Sequence, residues 1–174
     1  MSDINPYAPP QSDPSLPPAA GVPLATPWVR LGSAIVDGLV LAAIIVPLQW
    51  LSGSFQRNMA RAQSGEVDFV ASTLEGLLWA AIAFVIYLII NWAFLQNGQT
   101  IAKKLLKLQI QRKDGSKIPA LRIVTHRILP VNAAQMIPFI GGFVVLLDAL
   151  LIFRSGRNTL HDDIADTRVV QLPG

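Results

Sequence analysis

Apolar residues are not spread evenly along this chain. They gather into three long runs with polar stretches between them. The first runs from Trp28 to about Leu51. It contains WVRLGSAIVDGLVLAAIIVP and carries only two charged side chains, Arg30 and Asp37. At ~1.5 Å per residue it reaches roughly 36 Å, enough to cross a bilayer with some tilt. Pro47 is expected to kink its far end. The second, about Leu74 to Gln96, reads LEGLLWAAIAFVIYLIINWAFLQ. Its Trp79, Tyr87, Trp92 and Phe94 lie partly toward the ends, as interfacial anchors do. The third, residues 128 to 153, is ILPVNAAQMIPFIGGFVVLLDALLIF, broken at its middle by Pro138, Gly141 and Gly142.

The polar stretches orient these runs. Residues 52 to 73 are mixed and nearly neutral, whereas residues 97 to 127 hold Lys103, Lys104, Lys107, Arg112, Lys113, Lys117, Arg122 and Arg127 against the single acid Asp114. Cations beside a span mark a cytoplasmic loop, so the first loop is expected outside and the N-terminus inside. LKLQIQRKDGSKI alternates apolar and polar residues around a DG turn signal, which predicts a strand or hairpin. TRVVQL, residues 167 to 172, is also strand-like and can pair with LKLQIQ only from the same side. Arg154, Arg157 and Arg168 favour the inside as well. The third apolar run is therefore read as a helical hairpin turning at PFIGG, with arms short enough to re-enter without fully crossing. The expected fold is an all-α polytopic membrane protein: two long transmembrane helices, a C-terminal helical hairpin and a short cytoplasmic β pairing.

Composition agrees. The 174 residues are 52% hydrophobic and 14% charged, against about 25% charged in soluble domains. With no Cys, disulfides, thiolate nucleophiles and Cys-based metal sites are excluded. The net charge of +3 is concentrated beside apolar helices, which argues for anionic lipid and against nucleic acid. Residues 1 to 27 hold eight of the thirteen prolines and no periodic apolar face, so they are expected to be a disordered cytoplasmic tail. That stretch lacks the basic n-region of a signal peptide. The membrane domain is set at 28 to 170, with 171 to 174 as the C-terminal end.

The candidate chemistry comes from depth. Counting from Trp28, Asp37 lies roughly 13 Å down its helix. Asn91, near the end of the second run, and Asp148, near the end of the third, each lie roughly 8 Å from the boundary. Three polar side chains from three segments thus meet in the cytoplasmic half. Ions are costly there, and such groups mark ion or substrate paths. Arg30 and Asp37 share a helix face two turns apart, too far for direct pairing, so either each finds a partner on another helix or water joins them. The bland alternatives are an interfacial anchor for Arg30, a polar staple for Asp37 and a helix-to-helix hydrogen bond for Asn91. IAKKLLKL reads as an amphipathic helix on the inner leaflet, with Lys103, Lys104 and Lys107 toward lipid. His161 beside Asp162 and Asp163 lacks metal-ligand spacing. Asp162 or Asp163 is expected to cap a short helix or to pair with the basic loop. No cofactor, metal or catalytic nucleophile is indicated.

Arg30 and Asp37, then GQTIAKKLLKLQI (98 to 110) and IFRSGRNTLHDDIADTRVV (152 to 170), together resemble the RDD family of bacterial membrane proteins, named for one arginine and two aspartates. The resemblance carries Arg30 and Asp37 over directly and leaves Asp148 and Asp162 as candidates for the second aspartate. Ile101, Ala102 and Asp166 depart from the pattern. The family implies a bacterial inner membrane location and a suspected role in transport, cation and proton exchange included. The expected function is transport of a small ion or solute through Arg30, Asp37, Asp148 and Asn91, not enzymatic, with a homo-oligomer compensating for the few helices. The competing expectation is a non-transporting scaffold or regulatory module that binds lipid or a protein partner.

Overall fold

The computed structural model describes residues 22–65, 68–137 and 140–173. Helix α1 spans Pro27–Leu51, with Pro27 preset for a helix start and the Thr26 hydroxyl capping Val29 N–H. It continues through Pro47 to Leu51. A helix α2, Ser54–Ser64, occupies the stretch read as a mixed loop. Arg57 and Arg61 bind it to Glu75 at 3.0 and 2.7 Å. Helix α3 runs Phe69–Leu95, starting earlier than its apolar run because Asp68 caps it. Both α1 and α3 are long and apolar enough to cross a membrane. Their buried residues are few: Arg30 and Ser33 in α1, Asn91 and Leu95 in α3. Each pair lies toward one end of its helix. Much of the remaining apolar surface is exposed or only partly buried, as on a rod facing lipid.

Those ends are held by a small packed body. Helix α4, Ile101–Leu105, leads into strand β1, Leu108–Arg112. The basic segment read as an amphipathic helix is thus one helical turn and a strand. Strand β1 pairs antiparallel with β2, Thr167–Gln171, in the register Leu108↔Gln171 to Arg112↔Thr167. This is the pairing the alternation predicted. The DG turn at Asp114 and Gly115 closes a small loop bridged by Gln111 and Lys117. Residues 23–25 also pair with β2: Ala25 N–H bonds Val169 and Pro23 accepts from Gln171, at 3.0 and 2.8 Å. Residues 23–27 are therefore not the disordered tail expected of them, because their backbone groups find partners on the edge of β2 and at the start of α1. Residues 1–21 of that expected tail lie outside the described residues. Leu95, Leu108, Ile110, Ile118, Ile123 and Val169 build the core of this body.

Glycine is required twice. Gly98 has φ +68°, and a Cβ there would lie 2.3 Å from the carbonyl oxygen of Ile110. Its own carbonyl accepts from Ile110 N–H at 2.7 Å, so the glycine of the GQT motif is where α3 and β1 touch. The end of the basic segment forms α5 (Ala120–Arg122) and a π-helical segment (Ile123–Ile128), and the third apolar run forms α6 (Leu129–Gln135) and α7 (Gly141–Leu151). Helices α6 and α7 pack against each other. A Cβ at Gly141 would lie 2.0 Å from the carbonyl oxygen of Gln135, so the two arms close on a glycine. Part of the expected PFIGG turn, residues 138–139, lies outside the described residues. Helix α8, Leu160–Ala165, precedes β2. The fold is mostly helical, with two long apolar helices and one small two-stranded antiparallel sheet among the described residues.

Candidate functional site

Three carboxylates organise the junction between the long helices and the small body. Asp162 is fully buried at the start of α8. It forms a capping box with Thr159, accepting from the Thr159 backbone N–H at 3.1 Å and hydroxyl at 3.0 Å. Two guanidiniums close on it. Arg30 donates from Nη2 to Oδ2 and from Nη1 to the Arg157 carbonyl. Arg127, from the π-helical segment, donates from Nη1 to Oδ1 and to the Thr167 hydroxyl, the latter at 2.7 Å. Burial pushes the Asp162 carboxyl up, but Arg127 and Arg30 outweigh it and hold the group well below the usual carboxylate range. Two cations around one anion tie α1, the π segment and α8 together.

Asp37 serves a different element. Its Oδ2 accepts from the Thr100 hydroxyl at 2.6 Å and its Oδ1 from Ala102 N–H at 3.1 Å. Lys103 Nζ approaches Oδ2 at 3.7 Å. The Thr100 hydroxyl also caps Lys103 N–H at 3.2 Å. The carboxylate therefore sits on the N-terminus of α4, where a negative charge is favoured. Burial first, then Arg127 and Arg30, lower the Lys103 ammonium against the pull of Asp37, and the balance leaves it at about 8. Asn91 secures the same turn: its Oδ1 accepts from Ile101 N–H at 3.0 Å and its Nδ2 donates to the Tyr87 carbonyl at 3.1 Å.

Asp148 of α7 binds His161. The ring Nδ1 lies 2.8 and 2.9 Å from the two carboxylate oxygens, and the His161 backbone N–H adds a bond at 3.2 Å. Burial lowers the His161 pKa, the nearby Arg127 lowers it further, and Asp148 and Asp162 oppose them. A cavity of about 830 Å³ lies between the long helices and the small body, and Asp37, Lys103, Arg127, Asp148 and His161 all line it.

The residues picked from sequence thus divide. Asp37 and Asp148 face one cavity, while Arg30 and Asn91 are not among its lining residues. The interfacial-anchor reading of Arg30 is corrected, because its guanidinium is buried and paired with Asp162. Of the two aspartates left open, Asp162 is the one Arg30 holds. Lys103 does not point to lipid as expected, because Asp37 draws its ammonium inward. Lys104 and Lys107 are exposed, and Lys104 lies 5.3 Å over the Phe94 ring. Asp163 pairs with Lys113, as the basic-loop reading expected, and also with Arg154. Arg127 and Thr100 were missed as site residues. Their signals were present: Arg127 is the last cation before an apolar run, and Thr100 ends the GQT motif three residues before Lys103.

The model of the RDD family matches residues 24–166. The chain belongs to the RDD family. It is 28% identical over 142 residues to the uncharacterized protein YckC of Bacillus subtilis (strain 168), a match that covers 82% of this chain and 81% of YckC. No solved structure matches. Family membership and two long apolar helices make this an RDD membrane protein. The GQT motif of this RDD chain has a physical role at each position. Gly98 permits the close approach, Gln99 donates to the Leu108 carbonyl at 2.7 Å, and Thr100 joins α4 to Asp37.

Proposed function

We propose that this RDD protein is a small carrier that moves an ion or small solute across the bacterial inner membrane with cation or proton coupling. The supporting observation is the cavity beside the long helices, where Asp37 and Asp148 face Lys103, Arg127 and His161. Acidic and basic groups sharing a partly dehydrated space exchange protons and charge readily when their surroundings change. In this reading the basic segment and both termini are cytoplasmic, the α6–α7 hairpin re-enters from that side, and a homo-oligomer supplies further wall. Exposed Lys104 and Lys107 meet anionic lipid. No step forms a covalent bond to the chain.

A second reading has its own support: every carboxylate named above already has a structural partner. Asp37 caps α4, Asp162 joins three elements and Asp148 fixes His161. That arrangement suits a scaffold or regulatory module. Proteoliposomes holding a pH-sensitive dye, challenged with a sodium or potassium gradient, separate the two. Transport expects dye-reported proton movement that collapses in Asp37→Asn while the protein still elutes as a folded species. Scaffolding expects no movement in either protein and loss of folding in the variant.

A further inference from the structure

The cavity changes character along its length. Its α3 wall runs from Tyr87 back to Thr73. Those fourteen steps cover about 21 Å of helix. Gly38 and Leu41 on α1 and Gly76, Ala80, Ala83 and Phe84 on α3 line this part, and they are small or apolar. At the other end the wall is charged. Both carboxylates at this end already face donors of the chain itself. The Asp37 oxygens are taken by Thr100, Ala102 and Lys103, and those of Asp148 by His161. The donors are less fully used. Arg127 gives Nη1 to Asp162 and Thr167, while its Nη2 and the Tyr87 hydroxyl have no hydrogen-bond partner among the described residues. Lys103 meets Asp37 only at 3.7 Å.

We propose that the cavity binds a single-chain amphiphile with an anionic head, a carboxylate or phosphate, whose tail lies between α1 and α3 and whose head meets Lys103, Arg127 and Tyr87. Apolar walls accept the alkyl chain, and charge-assisted donors aimed into a dehydrated space accept the anion. The depressed pKa of Lys103 agrees, since an added anion would stabilise the ammonium that burial and two arginines disfavour. A bare inorganic anion would leave the apolar length of the cavity unfilled, and a cationic head would meet the guanidinium. The proposal rests on reading this cavity as the carrier's binding site and names the class of its solute.

The test uses the full chain in phosphatidylcholine nanodiscs with a diazirine-bearing dodecanoic acid as photoprobe. Labelling is expected on α1 and α3 peptides facing the cavity. Dodecyl phosphate should compete, whereas dodecyltrimethylammonium and inorganic phosphate should not. A Cβ added at Gly76 would meet nothing within 4 Å, so Gly76→Leu has room to start a side chain into the tail space. Gly76→Leu should abolish competable labelling while elution and thermal stability persist. Lys103→Gln should weaken dodecyl phosphate competition about tenfold, the loss of one charge-assisted contact. Four results overturn the proposal: labelling spread over all lipid-facing residues, equal competition by the cationic amphiphile, indifference to Gly76→Leu, and chain-to-chain crosslinks showing a second copy in the cleft. Binding is read here without a gradient, so the two ideas fail separately. Specific labelling without flux sinks the carrier reading, and flux without specific labelling sinks this one.

Discussion

Asp162→Ala is the sharpest perturbation of the junction. The carboxylate is fully buried, and the side chains of Arg30 and Arg127 are only 7% and 5% exposed. Removing one member of a buried ion pair costs about 3–5 kcal/mol, because the remaining charge stays desolvated. Here two guanidiniums lose their shared anion, and loss of the capping box adds about 1 kcal/mol. For a chain of this size each kcal/mol lowers Tm by roughly 2–4 °C, so a fall on the order of 10 to 20 °C is expected. The assay is thermal unfolding in detergent micelles, read by size exclusion after heating. Asp162→Asn keeps the shape and an acceptor for the cap, so it should recover only the cap's share of the loss. Combining it with Arg30→Gln should be less damaging than the sum of the single changes, with a coupling of about 1–3 kcal/mol. A loss below about 1 kcal/mol for Asp162→Ala, or plain additivity of the pair, would refute the claim that this carboxylate holds the two arginines.

Further expectations follow from the same geometry. The folded pKa of Asp162 is depressed. Its stabilisation is therefore complete above the unfolded value of about 3.9 and is lost as pH falls below it, so acid unfolding of wild type should be steeper than that of Asp162→Asn. Lys103 titrates near 8 when folded, below its ordinary value. The unfolded chain binds more protons between those limits, so Lys103 should make stability rise with pH from about 8 to 10, a slope that Lys103→Met removes. Asn91→Leu leaves Ile101 N–H without its acceptor. The cost in thermal unfolding should be about 1–3 kcal/mol, and Asn91→Asp should retain more of the stability. Gly98→Ala forces a Cβ against the Ile110 carbonyl at a left-handed position. A loss of about 2 kcal/mol or more in thermal unfolding is expected, and near-neutrality would deny the close approach.

Hydrophobic run length is enough to determine the two long helices. The length of α1 and α3 depends on how far an apolar rod can extend, which is a local property of the chain. The β1–β2 pairing was legible for a similar reason: alternation in LKLQIQ and TRVVQL marks two strands with little else to pair with. The family motifs likewise singled out Arg30, Asp37 and the GQT stretch. Which charge meets which was not legible. Arg30 and Asp37 lie on one helix face, yet Arg30 reaches Asp162, far along the chain, and Asp37 caps α4. Ion pairing in a dehydrated junction follows three-dimensional approach, and that approach is set by the sheet register, the Gly98 contact and the α6–α7 closure at Gly141. Lys103 shows the same limit. Its spacing reads as a lipid-facing cation, but one helical turn ending in a strand rotates it onto Asp37. Burial and long-range contact are collective quantities, so they appear only once all the elements are packed.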